Sequence, residues 1–440
     1  MFRRLLTPLA LLVLSAPSIA QTIYVDANAK TGGDGKTWAT AYNTVQAGLG
    51  AASSGARVWV AMGTYNGGFT VPAGVTATGG FHNGDFRETQ RDVATVKSIL
   101  DGGAGQRVVR LMHNSKLDGF VVRNGTAAGG GGLRADNVTA SICNCFFTNN
   151  KNTSGRGAAI YAEKATLNIS NSAFYKNIGI GHVIEYETSG GTLDHVVVHD
   201  NVSNGFHFSS GSTPKIYNSV FSLNTGRGIC HINANDAPIV ENNLLWGNKV
   251  SLYHYRGTEL RTIAAVNNLL YAKNNISADP KFVSPGNFRT MSSSPLIDKG
   301  QNMVGPTFAW RDYWDNSRIL DSDLNGSMVT DIGTYEANNA RVHIAGIPKP
   351  NAQINVRIDT SATVAGVMLL GVTPTRFLID PYGYVFVSIP GAVILPWPVN
   401  ANGFLTIPKT FQAGTALVWQ GLVLNATGGN MTNLVDMRIK

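Results

Sequence analysis

Two columns of polar side chains contain the residues whose types and spacing could support chemistry. Short segments between residues 133 and 256 alternate apolar and polar residues, and this period of two assigns alternate side chains to the outer face of a strand. The first outward column is predicted to be Arg134, Tyr161, Glu185, His207, His231 and His254. The second is predicted to be Asp136, Glu163, Glu187, Ser209, Asn233 and Arg256. A slip of one residue in any strand would exchange its two faces.

The carboxylates and histidines of these columns point to acid–base chemistry. Glu185 and Glu187 on one strand would have backbones about 6.6 Å apart, and Glu163 would stack on Glu187 at about 4.8 Å. Glycoside hydrolysis uses carboxylate pairs about 5 to 9.5 Å apart. A carboxylate crowded by another has a raised pKa and can act as the acid. The predicted catalytic residues are therefore Glu163, Glu185 and Glu187, with His207 or His231 as the base.

Four further residues of the columns are predicted to bind substrate: Arg134, Tyr161, His254 and Arg256. An arginine suits an acidic sugar because its planar guanidinium holds a carboxylate through two hydrogen bonds. The alternative is that these residues are polar simply because they face water, so that the histidines form a solvated ladder without a ligand. The sequence leaves catalysis, binding and a face without ligand all open.

The segment "DSDLNG", residues 321–326, resembles the start of a calcium loop. Oxygen-bearing side chains occupy its positions 1, 3 and 5, and glycine occupies position 6. The predicted ligands are Asp321, Asp323, Asn325 and Asp331. Position 12, where such a loop has glutamate, is Ile332. Calcium is the one cofactor that the sequence indicates, and an ordinary turn is the alternative.

The chain contains seven related blocks of nine residues. They are "LDGFVVRNG" from 117, "ICNCFFTNN" from 142, "ISNSAFYKN" from 169, "LDHVVVHDN" from 193, "IYNSVFSLN" from 216, "VENNLLWGN" from 240 and "VNNLLYAKN" from 266. The spacings between their starts are 25, 27, 24, 23, 24 and 26 residues. A repeat of this length indicates stacked units, none of which can bury its apolar face alone.

Asparagine recurs at two positions of the block. Position 9 is Asn150, Asn177, Asn201, Asn224, Asn248 and Asn274, and position 3 is Asn144, Asn171, Asn218, Asn242 and Asn268. Asparagine tolerates the left-handed backbone conformation, so both positions are predicted corners. Stacked asparagines can also hydrogen-bond to one another. The sequence predicts that the position 9 asparagines from 150 to 248 lie in register along one edge.

Each repeat has room for about three short strands and three turns, which together form one coil of a parallel β-helix. A leucine-rich horseshoe has a similar period, but its L-x-x-L-x-L signature is absent. The predicted fold is all-β: a right-handed parallel β-helix (solenoid) with an N-terminal capping helix near residues 41–52, followed by a small C-terminal β-sandwich. The predicted β-helix domain spans residues 21–341.

The two ends of the chain differ from the repeats. Residues 1–20 resemble a secretory signal peptide, with Arg3 and Arg4 before an apolar stretch and small residues ending at Ala20. Residues 342–351 form a proline-bearing linker, and residues 352–440 alternate apolar residues with turn residues. We expect the last segment to be an accessory or attachment domain.

Composition indicates which kinds of partner the chain could bind. Without its first twenty residues the chain has 33 Lys plus Arg and 27 Asp plus Glu, a net charge of +6, which favours an acidic partner. No Lys/Arg-rich run indicates nucleic acid, and no later apolar run approaches the ~18 residues of a membrane span. Three cysteines cannot all pair, so at least one is free. We expect an exported monomer without a transmembrane segment.

Two stretches resemble a known group of proteins. "IYVDANAKTGGDGKTWATAYNTVQAGL" resembles the N-terminal entry of secreted bacterial β-helix proteins of the pectate-lyase-like superfamily. "ADPKFVSPGNFRTMSSSPLIDKGQ" (278–301) and "DIGTYE" (331–336) resemble the closing signature of choice-of-anchor Q proteins. The resemblance covers residues 22–340 and is specific for architecture rather than for activity.

The resemblance implies a groove along the first strand of each coil in members that act on polysaccharides. Pectate lyases place several aspartates on calcium there with Arg or Lys as base, and polygalacturonases use a group of aspartates. This sequence has Glu and His instead, with Asp136 the only aspartate. We therefore expect a secreted or cell-surface protein that presents a polar groove to extracellular polysaccharide, acidic or neutral. If it is an enzyme, it is a polysaccharide lyase or glycoside hydrolase; the alternative is a non-catalytic cell-surface or adhesion scaffold.

Overall fold

The computed structural model describes residues 21–302 apart from Ala104, most of residues 310–337, and the backbone of ten strands between residues 340 and 438. The predicted signal peptide and most of the predicted linker lie outside these residues. None of the described helices is long and apolar enough to cross a membrane.

Three parallel sheets form the body of the protein. Sheet 1 contains Thr22–Val25, Arg57–Ala61, Thr76–Phe81, Ser115–Asp118, Thr139–Cys143, Thr166–Ser170, Gly190–Asp194, Thr213–Tyr217, Ile239–Glu241 and Ala272–Lys273. Sheet 2 contains Gly63–Asn66, Ser98–Asp101, Phe120–Arg123, Phe146–Thr148, Ala173–Tyr175, Val197–His199, Val220–Ser222 and Leu244–Trp246.

Sheet 3 contains the strands on which the candidate columns lie. Its main path is Phe69–Val71, Val109–Leu111, Leu133–Asp136, Ile160–Glu163, Ile178–Glu187, Val202–Ser209, Ile229–His231, Tyr253–Tyr255 and Thr258–Leu260. Two side strands, Thr126–Gly129 and Lys151–Arg156, pair with each other, and the second also pairs with the start of Ile178–Glu187. The last strand of the main path is antiparallel to its neighbour and forms a hairpin with it.

The chain visits the three sheets in turn, so that each circuit makes one coil. One circuit runs through Thr166–Ser170 in sheet 1, Ala173–Tyr175 in sheet 2 and Ile178–Glu187 in sheet 3. Corresponding residues of successive coils pair parallel, as Ile169 does with Leu193. The eight strands of sheet 2 correspond to about eight turns of a solenoid. The predicted all-β parallel solenoid is confirmed.

The core runs along the inside of the coils. Position 6 of the first six repeats is fully buried there, at Val122, Phe147, Phe174, Val198, Phe221 and Leu245. Phe147 and Phe174 stack with their ring centroids 4.8 Å apart, the spacing of neighbouring strands. The repeated apolar position therefore builds a continuous column of core side chains.

The two asparagine positions have different roles. Position 3 is left-handed at Asn144, Asn171, Asn218 and Asn242, with φ between 47° and 54°, as predicted for a corner. The prediction is wrong for Asn268, which ends the helix Ile263–Asn267 with φ of −80°. At position 9 the left-handed residue is instead the one before the asparagine: Asn149, Lys176, Asp200 and Leu223. The corner prediction is therefore wrong for the position 9 asparagines from 150 to 248, because the preceding residue makes the turn and leaves the asparagine side chain directed inward. At Asn274, which is itself left-handed with φ of 56°, the prediction is confirmed.

The position 9 asparagines form a buried ladder. Each side-chain amide donates to the side-chain oxygen of the next asparagine, at 3.0 Å from Asn150 to Asn177 and 3.1 Å from Asn177 to Asn201. The next two steps, through Asn224 to Asn248, are 2.9 Å each. The prediction that these five residues lie in register on one edge is confirmed.

Among the described residues, four short helical segments accompany the sheets: Val45–Gly50, Ile263–Asn267 and the 3-10 turns Trp38–Thr40 and Glu88–Gln90. Thr44 begins the first helix by accepting a hydrogen bond from Ala47 N, and Val45 and Leu49 are buried in the core of the first coils. Gly48 allows this close contact, since a Cβ there would lie 2.4 Å from a methyl group of Val25. The helix lies within the predicted span of 41–52, and its role as a cap stays a prediction.

A closing segment after the last coil packs back against sheet 2. Its hairpin, Phe282–Ser284 with Asn287–Thr290, places Phe288 against Phe146, with ring centroids 5.9 Å apart. Further along, Gln301 N donates to the side chain of Asn218 at 2.7 Å, and Arg318 reaches the side chain of Asn171 at the same distance. The position 3 asparagines are thus attachment points for this segment.

Ten strands lie in the C-terminal part of the chain. They are Ala340–Ala345, Gln353–Thr360, Ala365–Gly371, Pro374–Ile379, Gly383–Val387, Val393–Trp397, Asn402–Thr406, Ala416–Asn425, Gly428–Met431 and Val435–Arg438. They pair antiparallel in sheets of three, five and two strands. The predicted C-terminal β-sandwich and its domain boundary stay predictions.

Candidate functional site

The outer face of sheet 3 carries the first predicted column in register, with one exception. Strand pairing aligns Arg134, Tyr161, Glu185, His207, Cys230 and His254. The second column is also aligned as far as Ser209, through Asp136, Glu163 and Glu187. Because successive coils lie about 4.8 Å apart, the six members of the first column span about 24 Å.

The exception is His231, whose predicted outward position is wrong. Cys230 takes that place, and His231 pairs with Phe208 in the inward column, where it is fully buried. Its ring nitrogens lie 2.8 Å from Tyr271 Oη and 2.9 Å from the carbonyl oxygen of Asn233. His231 is therefore a hydrogen-bonded core residue, and its side chain is not available as a base on the outer face.

The two columns differ in access to solvent. Tyr161, Glu185 and His207 in the first column are only 1%, 6% and 9% exposed. In the second column, the side chains of Glu163 and Glu187 are 35% and 28% exposed. The first column thus forms the base of the site, and the second forms its accessible rim.

Tyr161 lies at the centre of a charged network. Its hydroxyl donates to Glu187 Oε2 at 2.5 Å and lies 3.3 Å from Glu163 Oε2. The guanidinium groups of Arg134 and Arg156 lie 4.9 and 5.1 Å from the centre of its ring. Arg156 also hydrogen-bonds to Glu187, and Arg134 lies 3.2 Å from Glu163. Cation–π contacts and ion pairs together hold the rim carboxylates in place.

This network changes the expected role of the rim carboxylates. The hydrogen bond from Tyr161, followed by contact with Arg156, lowers the pKa of Glu187. The raised pKa that crowding by a second carboxylate would cause is therefore not found at Glu187. Burial, together with the neighbouring Glu187, raises the pKa of Tyr161, so the phenol remains a hydrogen-bond donor. Glu187 is ionised and suited to accept hydrogen bonds, not to donate a proton.

Two histidines and a glutamate meet beside this network. The rings of His182 and His207 stack at 3.9 Å between centroids and 8° between planes. Glu185 Oε1 lies 3.8 Å from His207 Nδ1, while Glu185 Oε2 accepts a hydrogen bond of 3.0 Å from Gly157 N. Burial lowers the pKa of His182 to about 3 and that of His207 to about 4, and it raises the pKa of Glu185. Both imidazoles are neutral near pH 7.

The far end of the face is a second ion-paired group. Arg227 Nε lies 2.8 and 3.1 Å from the two carboxylate oxygens of Glu259, and His254 Nδ1 lies 3.1 Å from one of them. The hydrogen bond from Arg227 lowers the pKa of Glu259 to about 2. Arg256 is exposed, and its guanidinium lies 5.0 Å from the ring centre of Tyr255. His254 thus lies in the first column, whereas Arg256 lies in the hairpin turn that follows Tyr255 and donates to the carbonyl oxygen of Ala234 at 2.7 Å. Substrate binding by these two residues stays a prediction.

Most of the carboxylates near this face are paired with arginine. The arginines at or near the face include Arg107, Arg110, Arg134, Arg156, Arg227 and Arg256, and the carboxylates are Asp136, Glu163, Glu185, Glu187 and Glu259. Every carboxylate except Glu185 forms an ion pair with at least one arginine of this set.

The predicted calcium loop lies mostly outside the described residues, which include none of Asp321, Asp323 and Asn325. Asp331 is described and fully buried. Its two carboxylate oxygens accept hydrogen bonds from Asp298 N at 2.8 Å and from Ala337 N at 2.6 Å. Burial and the nearby Glu336 raise its pKa. Calcium binding there stays a prediction.

Five residues of the site that form the contacts described above were missed by reasoning from the sequence: Arg110, Arg156, His182, Arg227 and Glu259. Glu259 had a usable signal, because the Arg256–Gly257 pair, with φ of 48° and 90°, makes the tight turn of a hairpin. His182 had no such signal, because an irregularity in strand pairing brings it beside Glu185. Ile178 pairs with Val202 and His182 pairs with Asn204, so the first strand has two more residues than its partner between these pairs.

One comparison with known proteins supports the architecture. No curated protein matches the chain in sequence. The crystal structure of pectate lyase Pel9A has 13% sequence identity over 72% of this chain and 96% of that chain, with a TM-score of 0.43, too distant to bear on fold or function. Residues 109–270 match the family model described as right handed beta helix region. Together with the parallel pairing of successive coils, this match identifies the solenoid as a right-handed parallel β-helix.

Proposed function

We propose that this chain binds an extended polysaccharide outside the cell, along the outer face of sheet 3. The observation that carries the proposal is the accessible rim of ionised carboxylates and guanidiniums around Tyr161. Such planar groups can accept and donate pairs of hydrogen bonds to hydroxyl or carboxylate groups of sugars. A face about 24 Å long suits a polymer that lies across several coils.

Apolar contact is available beside the polar rim. Ile178, Ile180 and Val202 are exposed large hydrophobic residues at the start of two strands that carry the columns. Ligand sites commonly combine apolar surface with a few placed polar groups, and the C–H faces of sugar rings match such a surface. These three residues therefore extend the proposed binding surface away from Tyr161.

The face supports binding more directly than it supports cleavage. Glu163 and Glu187 both contact arginine, and the lowered pKa of Glu187 deprives it of the proton that a general acid needs. The second candidate function is therefore a non-catalytic surface scaffold. It is distinguished from the first by the absence of polysaccharide binding on this face. Secretion, which both require, is part of the proposal.

A panel of acidic and neutral polysaccharides tests the proposal. We expect retardation of the protein in native gels that contain at least one polymer, and loss of that retardation in Arg156→Ala, since removing the guanidinium frees Glu187 and disrupts the rim. Lys299→Ala, an exposed change of the same charge in the closing segment, should behave like the native protein. New reducing ends and unsaturated uronates are followed in parallel to detect hydrolysis or β-elimination. Absence of retardation by every polymer would leave the scaffold as the better account.

A further inference from the structure

We propose that His182, Glu185 and His207 form a binding site for a divalent transition metal ion, with zinc as its best fit. Within the described part of the chain, these residues form the one group of three His, Cys, Asp or Glu side chains whose potential ligand atoms all lie within 4.8 Å of one another. The proposal does not depend on polysaccharide binding, because the site is defined by these three side chains alone.

The distances fit a shared ion better than they fit hydrogen bonds. The 3.8 Å between His207 Nδ1 and Glu185 Oε1 exceeds the ~3.2 Å limit of an N–H···O hydrogen bond. Two ligand atoms bound to tetrahedral zinc at about 2.1 Å each lie roughly 3.4 Å apart. A shift of about 0.4 Å would therefore convert the present arrangement into a ligand pair.

An unpaired nitrogen at the centre of the group supports a ligand. His207 is only 9% exposed, yet its Nδ1 is buried and has no hydrogen-bond partner. Buried polar atoms are nearly always hydrogen-bonded, so such an atom needs an explanation. Metal coordination supplies one, because Nδ1 is directed toward the Glu185 oxygen that Gly157 leaves free.

The surroundings hold two of the ligands in place. Glu185 is oriented by its hydrogen bond from Gly157 N, and the His182 ring stacks on His207. His182 Nδ1 also lies 3.3 Å from Nδ2 of Asn204, a long contact that a metal can replace. Metal-binding histidines and carboxylates are commonly oriented by such neighbours.

The ligand set distinguishes among metals. Calcium and magnesium prefer oxygen ligands, whereas imidazole favours zinc, copper, iron and nickel. Two histidines and one carboxylate are a set that zinc uses with a fourth position open to water or substrate. Two arginines lie near the group, and each is paired with a carboxylate: Arg227 with Glu259 and Arg156 with Glu187.

A bound ion would change the character of the whole face. Four of the five carboxylates of the face are already paired with arginine, so a divalent cation beside Tyr161 would add positive charge that no ion pair offsets. An open coordination position could then accept a carboxylate or hydroxyl oxygen from a ligand. The site thus offers the face a way to bind an acidic group.

Titration of the chelator-treated full chain with zinc tests the proposal. Isothermal calorimetry should show one site per chain, and cobalt in its place should show the visible absorption of a four- or five-coordinate ion. Calcium should not compete. His207→Ala and Glu185→Gln should each weaken zinc binding at least about 100-fold, since each removes one of three ligands.

A matched change separates this site from adventitious binding. His113→Ala removes an exposed histidine from another part of the solenoid and should leave the affinity unchanged. Circular dichroism of the metal-free variants checks that each is folded, and Glu185→Gln is nearly isosteric and keeps an oxygen for Gly157. The proposal is overturned if the native chain binds no zinc, or if Glu185→Gln binds it as tightly as the native chain does. Neither result decides whether the chain binds polysaccharide, which the separate polysaccharide assay tests.

Discussion

Replacing Asn201 by alanine is expected to lower the free energy of unfolding by at least about 3 kcal/mol. The Asn201 side chain lies in the middle of the ladder and is 1% exposed. Its oxygen accepts from Asn177 N at 2.9 Å and from Asn177 Nδ2 at 3.1 Å, while its own amide donates to Phe174 O at 3.0 Å. Alanine leaves these groups buried without partners, and each such group costs about 1–3 kcal/mol.

Chemical denaturation of the native and variant proteins measures this loss. Asn268→Ala is the matched control, since Asn268 is exposed and belongs to the same repeat pattern at position 3. It should change stability by less than about 0.5 kcal/mol, as surface substitutions usually do. Equal midpoints for Asn201→Ala and Asn268→Ala would show that the ladder does not stabilise the solenoid.

Arg318→Ala is expected to destabilise the protein by about 3–5 kcal/mol. Arg318 is fully buried, with Nη1 3.2 Å from Glu336 Oε2 and Nη2 2.7 Å from Asn171 Oδ1. It also donates to the carbonyl oxygen of Gly333 at 3.1 Å. Its removal leaves Glu336 buried without its cation and removes the hydrogen bond to Asn171 Oδ1, so that the bond of 2.6 Å from Asn171 Nδ2 to Arg311 O remains at this corner.

Thermal unfolding of a double-mutant cycle separates these two effects. Glu336→Gln should cost less than Arg318→Ala, and the double variant should recover part of the Arg318→Ala loss, because no unpaired carboxylate then remains. Losses that simply add would mean that Arg318 stabilises the closing segment without any contribution from Glu336.

The coil architecture follows from the sequence because it depends on local, repeated features. A period of about 25 residues, aliphatic residues at position 1 and large apolar residues at position 6 define a unit that can bury its face only by stacking. The asparagine ladder follows from the same repeat. The residue that makes the turn near position 9 could not be predicted. An asparagine at a corner can adopt the left-handed conformation itself, or it can hydrogen-bond through its side chain while its neighbour makes the turn, and the sequence is the same in both cases.

The register of one strand was the main error at the site. Ile229 and Ile232 are three residues apart, so alternation allows only one of them to face the core. The fold buries Ile229 and leaves Ile232 43% exposed, which turns Cys230 outward and His231 inward. Both registers bury one isoleucine, so apolar patterning does not choose between them.

Contacts between residues far apart in the chain also could not be predicted from the sequence. Arg156 reaches Glu187 from a side strand 31 residues away, and Arg318 reaches Asn171 across 147 residues. Their partners are selected by the three-dimensional stacking of coils and by the path of the closing segment. No local pattern in the sequence marks either arginine as different from an ordinary surface residue.

The central claim is that the outer face of sheet 3 binds polysaccharide, and calorimetric titration of two charge-matched double variants tests it most directly. Arg134→Ala/Arg156→Ala removes two positive charges from this face, and Lys215→Ala/Lys299→Ala removes two from exposed positions elsewhere. With the best ligand of the panel, the first variant should lose at least tenfold in affinity, about 1.4 kcal/mol, while the second stays within twofold of the native chain. Equal losses in the two variants would contradict the account, because binding would then depend on overall charge and not on this face.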